Sequence, residues 1–395
     1  MLDNLDLKQI LTDWNYWETP PPIGIPRFIL EQKKIELHPD LIWVIQGVRR
    51  SGKSTLLTQI METKNLDPSS CTFINFEDPR LSNYLNHALL DQVVSFSKSL
   101  FPKFSTRTYF FDEIQNVEQW QKWLHKKIER PSGDRYIITG SNSSLLSGDL
   151  ASRLTGRHLT LELFPFSFAE FQKIHPNGSL KNYLEQGGFP RVLKLKSEAS
   201  VLLREYFTDI IERDVKRNLS SRKGYLISKL VIAVFESTGS ELSQRGLAQI
   251  MGLTTDTLGQ YLEACESAYL LFTCPYFSFS ERQRTVRNRK IYPIDTGLMY
   301  SVSKRGSVEI GKSFETIVFH ALKKKYSDIA YWCGKHEVDF VVKTPEGILP
   351  IQVSWDEPKL RHYEGLKEFK IKYPNTMECL FIGQENFSKL EELLP

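Results

Sequence analysis

The octapeptide GVRRSGKS, residues 47–54, constrains the fold more than any other segment. It follows the apolar run LIWVIQ and precedes the amphipathic segment TLLTQI, so it lies between a predicted strand and a predicted helix. Glycines at these spacings let successive backbone amides surround a phosphate at a helix N-terminus. The sequence therefore predicts a phosphate-binding loop (P-loop) for ATP, formed by Gly47, Val48, Arg49, Arg50, Ser51, Gly52, Lys53, Ser54 and Thr55.

Two residues of this loop have predicted chemical roles. Lys53 reaches the outer phosphates and counts among the predicted catalytic residues, and the Ser54 hydroxyl binds Mg²⁺. A second segment, TYFFDEIQN, reads as a buried strand ending in two acids. Asp112 is predicted to hold Mg²⁺ through water, and Glu113 to polarise the attacking water. The alternative is a pair of acids solvated in a loop.

Two further predicted catalytic residues follow. The strand-like segment RYIITGSNSS ends in Ser141, which is suited to contacting the γ-phosphate or the lytic water. Arg157 precedes the next predicted strand, where it would neutralise charge on the transferred phosphoryl group within its own subunit or across an interface. Surface solvation is an equal alternative for Arg157, and for Arg153 it is the favoured interpretation.

Several motifs occur in a fixed order: GVRRSGKST, YFFDEIQN, IITGSNSSLL, RLTGR, LFPFSFAEF and YLEQGGFPRVL. In this order they resemble a large prokaryotic family of AAA-type ATPases that carry a C-terminal domain of unknown function numbered 4143. The resemblance covers nearly the whole chain, including the segment 14–27. It implies a P-loop ATPase of the additional-strand class with a helical lid over residues 164–222, and it supplies no substrate.

Residues 223–300 have the pattern of a winged helix-turn-helix. Amphipathic segments flank a short turn at Gly252, and the basic segment SERQRTVRNRK looks like the hairpin of the wing. Such a module would contact DNA phosphates and bases. Alternatively, it packs against the nucleotide domain and relays its state. The predicted nucleic-acid contacts are Thr254, Thr255, Thr257, Arg282, Arg284, Arg287, Arg289 and Lys290.

Residues 301–395 match the order of a restriction-endonuclease-like domain. Glu315 on a predicted helix, Asp339 on one strand and Gln352 on the next occupy the metal-binding places of that fold. Ser354 stands where an active nuclease has lysine, and the loss of one such charged donor typically costs about a hundredfold or more in rate. We therefore predict an inactive, vestigial site, unless Lys335 or Lys343 substitutes for the missing lysine.

Composition supports a soluble, multidomain protein. The 395 residues exceed a usual single core, and the net charge of +4 is too small to imply nucleic-acid binding by itself. Five cysteines without zinc-binding spacing read as reduced thiols, and the absence of an apolar span or leader predicts a cytoplasmic location. The expected order is an α/β P-loop NTPase core with helices on both faces of a parallel sheet (1–163), helical lid, winged helix and restriction-endonuclease-like α/β domain.

The function predicted from these features is an ATP- and Mg²⁺-dependent switch that hydrolyses ATP and associates with nucleic acid. The predicted partner is DNA, bound through the winged helix, with a protein partner and homo-oligomerisation left open and no membrane association. One alternative is a nucleotide-gated, metal-dependent nuclease of a defence system. Another is a signalling ATPase whose winged helix binds only protein.

Overall fold

The computed structural model describes residues 2–146, 156–195, 197–219, 224–303 and 309–395, so Arg153 lies outside the described residues. The chain forms two compact units, residues 1–164 and 165–395. In the described ranges, no helix is long and apolar enough to cross a membrane.

The first unit alternates strands with helices. Its strands are β1 (Ile42–Gln46), β2 (Cys71–Asn75), β3 (Thr108–Asp112), β4 (Arg135–Gly140) and β5 (His158–Glu162). Its helices are α1 (Asn4–Trp14), α2 (Ile29–Gln32), α3 (Lys53–Thr63), α4 (His87–Leu100) and α5 (Trp120–Glu129).

The five strands form one parallel sheet in the order β2-β3-β4-β1-β5. Strands β1 and β3 are almost wholly buried, as expected when helices cover both faces of a parallel sheet. One core cluster includes residues of α4 and α5, and the other includes residues of α3. Because β4 lies between β1 and β3, its carboxyl end lies between the loop after β1 and the acids that end β3. This is the predicted α/β P-loop sheet.

The second unit begins with helices. They are α6 (Phe168–Ile174), α7 (Leu180–Gln186) and α8 (Ala199–Asp209), which continues into a π-helical turn, Ile210–Val215. The next elements are α9 (Gly224–Phe235), β6 (Glu241–Leu242), α10 (Gln244–Met251), α11 (Thr255–Ser267), β7 (Leu271–Cys274), α12 (Glu281–Val286), β8 (Arg289–Pro293) and α13 (Thr296–Val302). Strands β6, β8 and β7 form an antiparallel sheet in that order.

The connection from β7 to β8 differs from the predicted hairpin turn. Residues Glu281–Val286 form α12, because the Ser280 hydroxyl accepts a hydrogen bond from the Gln283 amide and Glu281 lies in the positive first turn. The exposed basic residues of this connection are therefore divided between a short helix and the extended segment that leads into β8.

The last part of the chain forms a second α/β layer. It contains α14 (Ile310–Lys325), β9 (Ile329–Cys333), β10 (Glu337–Thr344), β11 (Gly347–Val353), α15 (Leu360–Lys372), β12 (Leu380–Ile382) and α16 (Leu390–Leu393). The sheet order is β12-β11-β10-β9, with β11 and β12 parallel and the other neighbours antiparallel. The two strands predicted to carry Asp339 and Gln352 are β10 and β11.

Candidate functional site

The loop between β1 and α3 has a backbone that requires glycine at both ends. Gly47 has φ 156°, and a Cβ there would lie 2.1 Å from the Leu163 carbonyl oxygen. Gly52 has φ 99° and forms the N-cap of α3 without a capping side chain. The free amides at this helix start therefore point to an anion site.

An orphaned atom marks the interior of the same loop. Ser51 is fully buried, and its hydroxyl is among the buried side-chain oxygens that lack a hydrogen-bond partner. Buried polar atoms are rarely left unpaired, so an unpaired hydroxyl inside a glycine-bounded loop fits a site built for an additional polar ligand. The residues present thus fit a bound phosphate.

Arg27, which lies before β1, holds this loop from outside. Its guanidinium donates to the Ser51 carbonyl over 2.9 Å and to the Phe164 carbonyl over 2.7 Å. Its backbone amide donates to Gln59 Oε1 of α3 over 3.2 Å. Arg27 is 6% exposed, so these bonds are shielded from water. The sequence alone gave no role to this arginine.

Lys53 lies within the loop rather than in solvent. Its ammonium donates to the carbonyls of Gly47 over 3.1 Å and Val48 over 3.3 Å, and it is 3.4 Å from Glu113 Oε1. The side chain is 4% exposed. The structure therefore brings the predicted phosphate-binding cation and the predicted catalytic acid into one buried ion pair.

Asp112, at the end of β3, collects hydrogen bonds from three elements. It accepts from Ser54 Oγ over 2.6 Å, from Asn75 Nδ2 over 3.0 Å and from Thr139 Oγ1 over 2.5 Å. Burial, followed by the charge of Glu113, raises the pKa of Asp112 to about 6. A divalent cation beside Ser54 and Asp112 would favour the ionised carboxylate, so this pair fits a Mg²⁺ site.

Glu113 is held in the left-handed region, with φ 54° and ψ 47°. Its amide donates to Thr139 Oγ1 over 3.0 Å, and its Oε2 accepts from Gln115 Nε2 over 2.5 Å. Burial opposes ionisation, but the charge of Lys53 and the Gln115 hydrogen bond outweigh it and lower the pKa of Glu113. Glu113 is therefore an anion, as a residue that accepts a proton from water must be.

Ser141, the predicted contact after β4, lies with this group. Its hydroxyl is 3.4 Å from Gln115 Nε2, and the residue is 1% exposed. Beside the loop, Arg49 makes a bidentate ion pair with Glu77 at 3.0 and 2.7 Å. Arg50 has φ 71°, and Arg50, Ser54 and Thr55 are exposed.

Arg157 lies at the amino ends of the sheet strands, whereas the P-loop lies at their carboxyl ends. Its carbonyl accepts the amide of Ile42 at the beginning of β1, whereas the P-loop follows the end of that strand. Because a strand rises about 3.3 Å per residue, the length of β1 separates the backbone of Arg157 from the P-loop by roughly 15 Å. The exposed Arg157 therefore does not lie beside the other predicted catalytic residues of its own chain. Its catalytic role stays a prediction, and this geometry favours action across an interface over action within its own subunit.

A second polar cluster lies in the C-terminal layer. Glu315 of α14 and Glu337 and Asp339 of β10 bring carboxylate oxygens within 4.8 Å of one another. Asp339 Oδ2 accepts from Gln352 Nε2 over 2.7 Å and from the Val353 amide over 2.8 Å. Burial, then the charge of Glu315, raises the pKa of Asp339 well above its ordinary value. Three of the predicted vestigial residues, Glu315, Asp339 and Gln352, are thus brought together.

Lys290, a predicted nucleic-acid contact, belongs to this cluster instead. The residue is fully buried, and its ammonium is 3.0 Å from Glu315 Oε1 and also bonds Glu337. Burial by itself lowers the pKa of Lys290, but the surrounding carboxylates outweigh it and raise the pKa. Because Lys290 has no exposed surface, it cannot contact DNA in this arrangement, and that prediction is corrected.

Lys290, and not position 354, thus brings an ammonium to this cluster. The Ser354 amide donates to the Ile382 carbonyl, so this residue pairs β11 with the strand beside it. Lys343 is exposed, with its ammonium 5.6 Å from the Phe279 ring, and Lys335 is also exposed. Lys335 lines the cleft that also contains Asp339 and Gln352, so its substitution for the missing lysine stays a prediction. Lys343 is not among the residues that line that cleft.

The other predicted nucleic-acid contacts lie on the surface or at a helix start. Thr254 caps α11 through the Thr257 amide at 3.1 Å. Arg284 pairs with Asp328 at 2.7 and 3.2 Å, and Arg287 lies 4.8 Å from the Tyr276 ring. The exposed members of the set are Thr254, Thr255, Arg282, Arg287 and Arg289, and Thr257 and Arg284 are partly exposed.

Family models cover most of the sequence. An AAA domain model matches residues 40–172, and models for domains of unknown function DUF8612 and DUF4143 match residues 177–309 and 310–394. An uncharacterized protein of Methanocaldococcus jannaschii is 31% identical over 396 residues, which span 90% of this chain and 86% of that protein. This chain belongs to the AAA-domain family with a C-terminal DUF4143 domain.

Other proteins are similar to parts of this chain. An uncharacterized protein of Haemophilus influenzae is 27% identical over 86% of this chain and 88% of its own length. Among solved structures, Cdc6p of Pyrobaculum aerophilum is similar, with a TM-score of 0.31 and 13% identity over 66% of this chain and 86% of that chain. Membership in the family makes the first unit an AAA-type ATPase domain.

Four residues of the nucleotide site were missed in the sequence: Arg27, Asn75, Gln115 and Thr139. Two had a detectable signal, because Asn75 and Thr139 are polar residues at the carboxyl ends of strands that flank the one ending in Asp112. Gln115 also had a local signal, because it lies two residues after Glu113 and bonds it. Arg27 depends on tertiary contacts that no spacing reveals.

Proposed function

We propose that this protein hydrolyses ATP with Mg²⁺ and uses the cycle as a switch associated with nucleic acid. The observation that carries the proposal is the convergence of Lys53, Asp112 and Glu113, in which Ser54 lies 2.6 Å from Asp112 and Lys53 lies 3.4 Å from Glu113. The proposed cation, metal ligands and base thus lie together at the P-loop, where Lys53, Asp112 and Glu113 are buried and Ser54 is exposed.

The residues divide the chemistry among them. Loop amides and Lys53 would bind and orient the outer phosphates of ATP. Ser54 and Asp112 would hold Mg²⁺, which neutralises charge on the phosphate oxygens. Glu113, kept ionised, would accept a hydrogen bond from water and orient it for attack, while Ser141 lies close enough to Gln115 to share that polar region.

The contacts of Lys53 indicate how bound ATP would change the site. Lys53 bonds two loop carbonyls and faces Glu113. When the phosphates of ATP bind the Lys53 ammonium, Glu113 loses its partner cation. It keeps the hydrogen bond from Gln115. Its proton affinity then rises, so it becomes a better base once substrate is bound.

Arg157 would contribute only from a neighbouring copy. Its position at the amino ends of the strands keeps Arg157 away from the P-loop of its own chain. Because its side chain is exposed, it is available to a second subunit. Homo-oligomerisation is therefore part of the proposal. If Arg157 has a catalytic role, turnover per subunit should rise with protein concentration.

Association with DNA is proposed for residues 224–293. Three helices, α9 to α11, and the antiparallel sheet β6-β8-β7 follow the chain order of a winged helix-turn-helix. Thr255 begins α11 at an exposed helix start, and Arg282, Arg287 and Arg289 are exposed on the β7–β8 connection. These groups support contacts to phosphates.

The test is steady-state phosphate release from ATP by wild-type protein and by Glu113→Gln, with nucleotide binding measured in parallel. We expect Glu113→Gln to bind ATP as wild type does and to turn over at least a hundredfold more slowly. Equal turnover by the two proteins would refute hydrolysis at this site. Wild-type binding without turnover would reduce the protein to a nucleotide-responsive binder.

A further inference from the structure

The turn after β2, residues 76–80, is joined to the P-loop by an ion pair. Glu77 of this turn makes the bidentate pair with Arg49, at 3.0 and 2.7 Å. The Arg49 side chain is 8% exposed and the Glu77 side chain is 32% exposed. Burial of a guanidinium costs solvation free energy, and a partly exposed carboxylate offsets only part of that cost. The position of Arg49 therefore indicates a role other than stability.

The backbone that carries Glu77 is itself tied to the proposed metal ligand. Asn75, the last residue of β2, donates from its side chain to Asp112 Oδ2 over 3.0 Å and accepts the Glu77 amide over 2.8 Å. The Phe76 amide donates to the Asp112 carbonyl over 3.0 Å. Because these bonds fix the turn, the Glu77 carboxylate holds the Arg49 guanidinium in a defined position and plane.

Arg49 lies close to the groups that would flank the outer phosphate of ATP. The Lys53 ammonium donates to the carbonyls of the two residues before Arg49. Burial opposes the ionisation of Glu113, and its pKa is lowered by the charge of Lys53, by the Gln115 hydrogen bond and by the charge of Arg49. Two cations of the P-loop thus act on the proposed base. The outer phosphoryl group of bound ATP would lie between the P-loop and the water that Glu113 orients.

We propose that the Arg49 side chain binds the outer (γ) phosphoryl group of ATP from within the same chain, and that Glu77 positions it. The inference rests on the proposed ATP site and deepens it. A guanidinium matches phosphate oxygens with paired N–H donors and neutralises the charge that grows during phosphoryl transfer. Arg49 would thus do within one chain what Arg157 would do only from a second copy.

The experiment measures, by calorimetry with Mg²⁺, the affinities of the full-length protein for ADP and for the non-hydrolysable ATP analogue AMPPNP. Because only the outer phosphoryl group makes the contact, Arg49→Gln should lower the affinity for AMPPNP roughly tenfold or more and leave that for ADP near wild type. Arg80→Gln is the matched control, because Arg80 pairs with Asp78 of the same turn at 2.7 Å and with Asp13 of α1 at 2.6 Å. Its ratio of the two affinities should equal that of wild type. The same ratio in wild type and Arg49→Gln would overturn the inference.

Glu77→Gln tests the positioning role. This change keeps the size of the side chain and removes the charge that fixes the guanidinium. The affinity for AMPPNP should therefore fall, by less than in Arg49→Gln, and the affinity for ADP should stay near wild type. The double variant should match Arg49→Gln, because Glu77 acts only through Arg49. No loss in Glu77→Gln, or additive losses in the double variant, would overturn the positioning role.

Turnover separates this inference from ATP hydrolysis itself. If wild type hydrolyses ATP, Arg49→Gln should lower the single-turnover rate at saturating ATP roughly a hundredfold or more, at every protein concentration. An unchanged rate would overturn the contact and leave the proposed hydrolysis standing. If neither wild type nor Glu113→Gln releases phosphate, the proposed hydrolysis fails. The AMPPNP and ADP affinities then still decide whether Arg49 binds the outer phosphoryl group.

Discussion

The hydroxyl of Thr139 donates a 2.5 Å hydrogen bond to Asp112 Oδ1. Thr139 Oγ1 also accepts a hydrogen bond from the Glu113 amide over 3.0 Å. One buried hydroxyl near the end of β4 therefore bonds both acids that follow β3, the proposed metal ligand Asp112 and the proposed base Glu113. The sheet order makes this possible, because β4 is the neighbour of β3 and of β1.

Removing only that hydroxyl should misplace both acids. Thr139→Val keeps the shape but leaves the Glu113 amide and one Asp112 oxygen without a partner, at a cost of about 1–3 kcal/mol in the free energy of unfolding. We expect kcat for ATP to fall about tenfold, equivalent to about 1.4 kcal/mol, with little change in KM. Thr139→Ser restores the hydroxyl and should recover most of kcat. Unchanged kcat in Thr139→Val would exclude this positioning role.

Arg27 should control the affinity for nucleotide without controlling the chemical step. The two terminal nitrogens of its guanidinium bond the Ser51 and Phe164 carbonyls, a geometry that the single ammonium of a lysine cannot reproduce. Arg27→Lys is expected to weaken ATP binding several-fold while the turnover of bound ATP stays near wild type. Arg130→Lys, at an exposed arginine, is the control. A fall in single-turnover rate with unchanged affinity would contradict the expectation.

Exposed arginines of the β7–β8 connection should carry the affinity for DNA. Neutralising Arg282, Arg287 and Arg289 to Gln should weaken binding to duplex DNA and reduce the salt slope by up to about three. The control replaces exposed Lys103, Lys122 and Lys126 with Gln, which changes net charge equally. If the control variant weakens DNA binding as much, DNA is attracted by the overall positive charge of the protein and not by the β7–β8 connection. Absence of salt-dependent DNA binding in wild type would favour a module that binds only protein.

His320 should make the second unit sensitive to acid. Its Nε2 lies 2.7 Å from the Pro293 carbonyl, and burial lowers the pKa of His320 to about 4. Between pH 6.5 and 4 the unfolded chain takes up a proton that the folded protein does not. The contribution of the neutral His320 to the stability of the folded protein is therefore complete above pH 6.5. As the pH falls to 4, about 3 kcal/mol of this stability is lost.

Denaturant titrations at pH 7 and pH 4.5 check this loss. His320→Gln keeps a side-chain donor for the Pro293 carbonyl and cannot take up the proton, so its stability should fall less between the two pH values. Asp295, whose pKa burial raises to about 6, acts in the opposite direction in both proteins and cancels in the comparison. The same loss in both proteins would rule out His320 as its source.

The nucleotide site was largely predictable because its chemistry is local. GVRRSGKS and the acids after TYFFD each lie within one turn or strand end, so spacing alone indicates their roles. The parallel sheet follows from buried apolar runs separated by helical segments. Thr139 could be suspected only from its place near the end of a strand, because its contacts with Asp112 and Glu113 cross between strands. Arg27 acts from a distant segment, and the sequence holds no short-range record of its contacts.

The C-terminal cluster shows the limit more clearly. Glu315, Asp339 and Gln352 followed from the order of helix and strands, whereas Lys290 did not. Its basic neighbours in RNRK suggested one exposed surface, yet strand alternation turns Lys290 inward while Arg289 remains exposed. The carboxylates that stabilise the buried Lys290 come from α14 and β10. These elements lie far from residues 280–290 in the sequence, so that segment alone does not reveal them.

Calorimetric titration of ATP with Mg²⁺ into the folded, full-length protein tests the central claim most directly. We predict a saturable heat for wild type and at least a tenfold loss of affinity in Lys53→Ala, because the outer phosphates lose their ammonium partner. No binding heat in wild type, or equal affinity in the two proteins, would contradict the account.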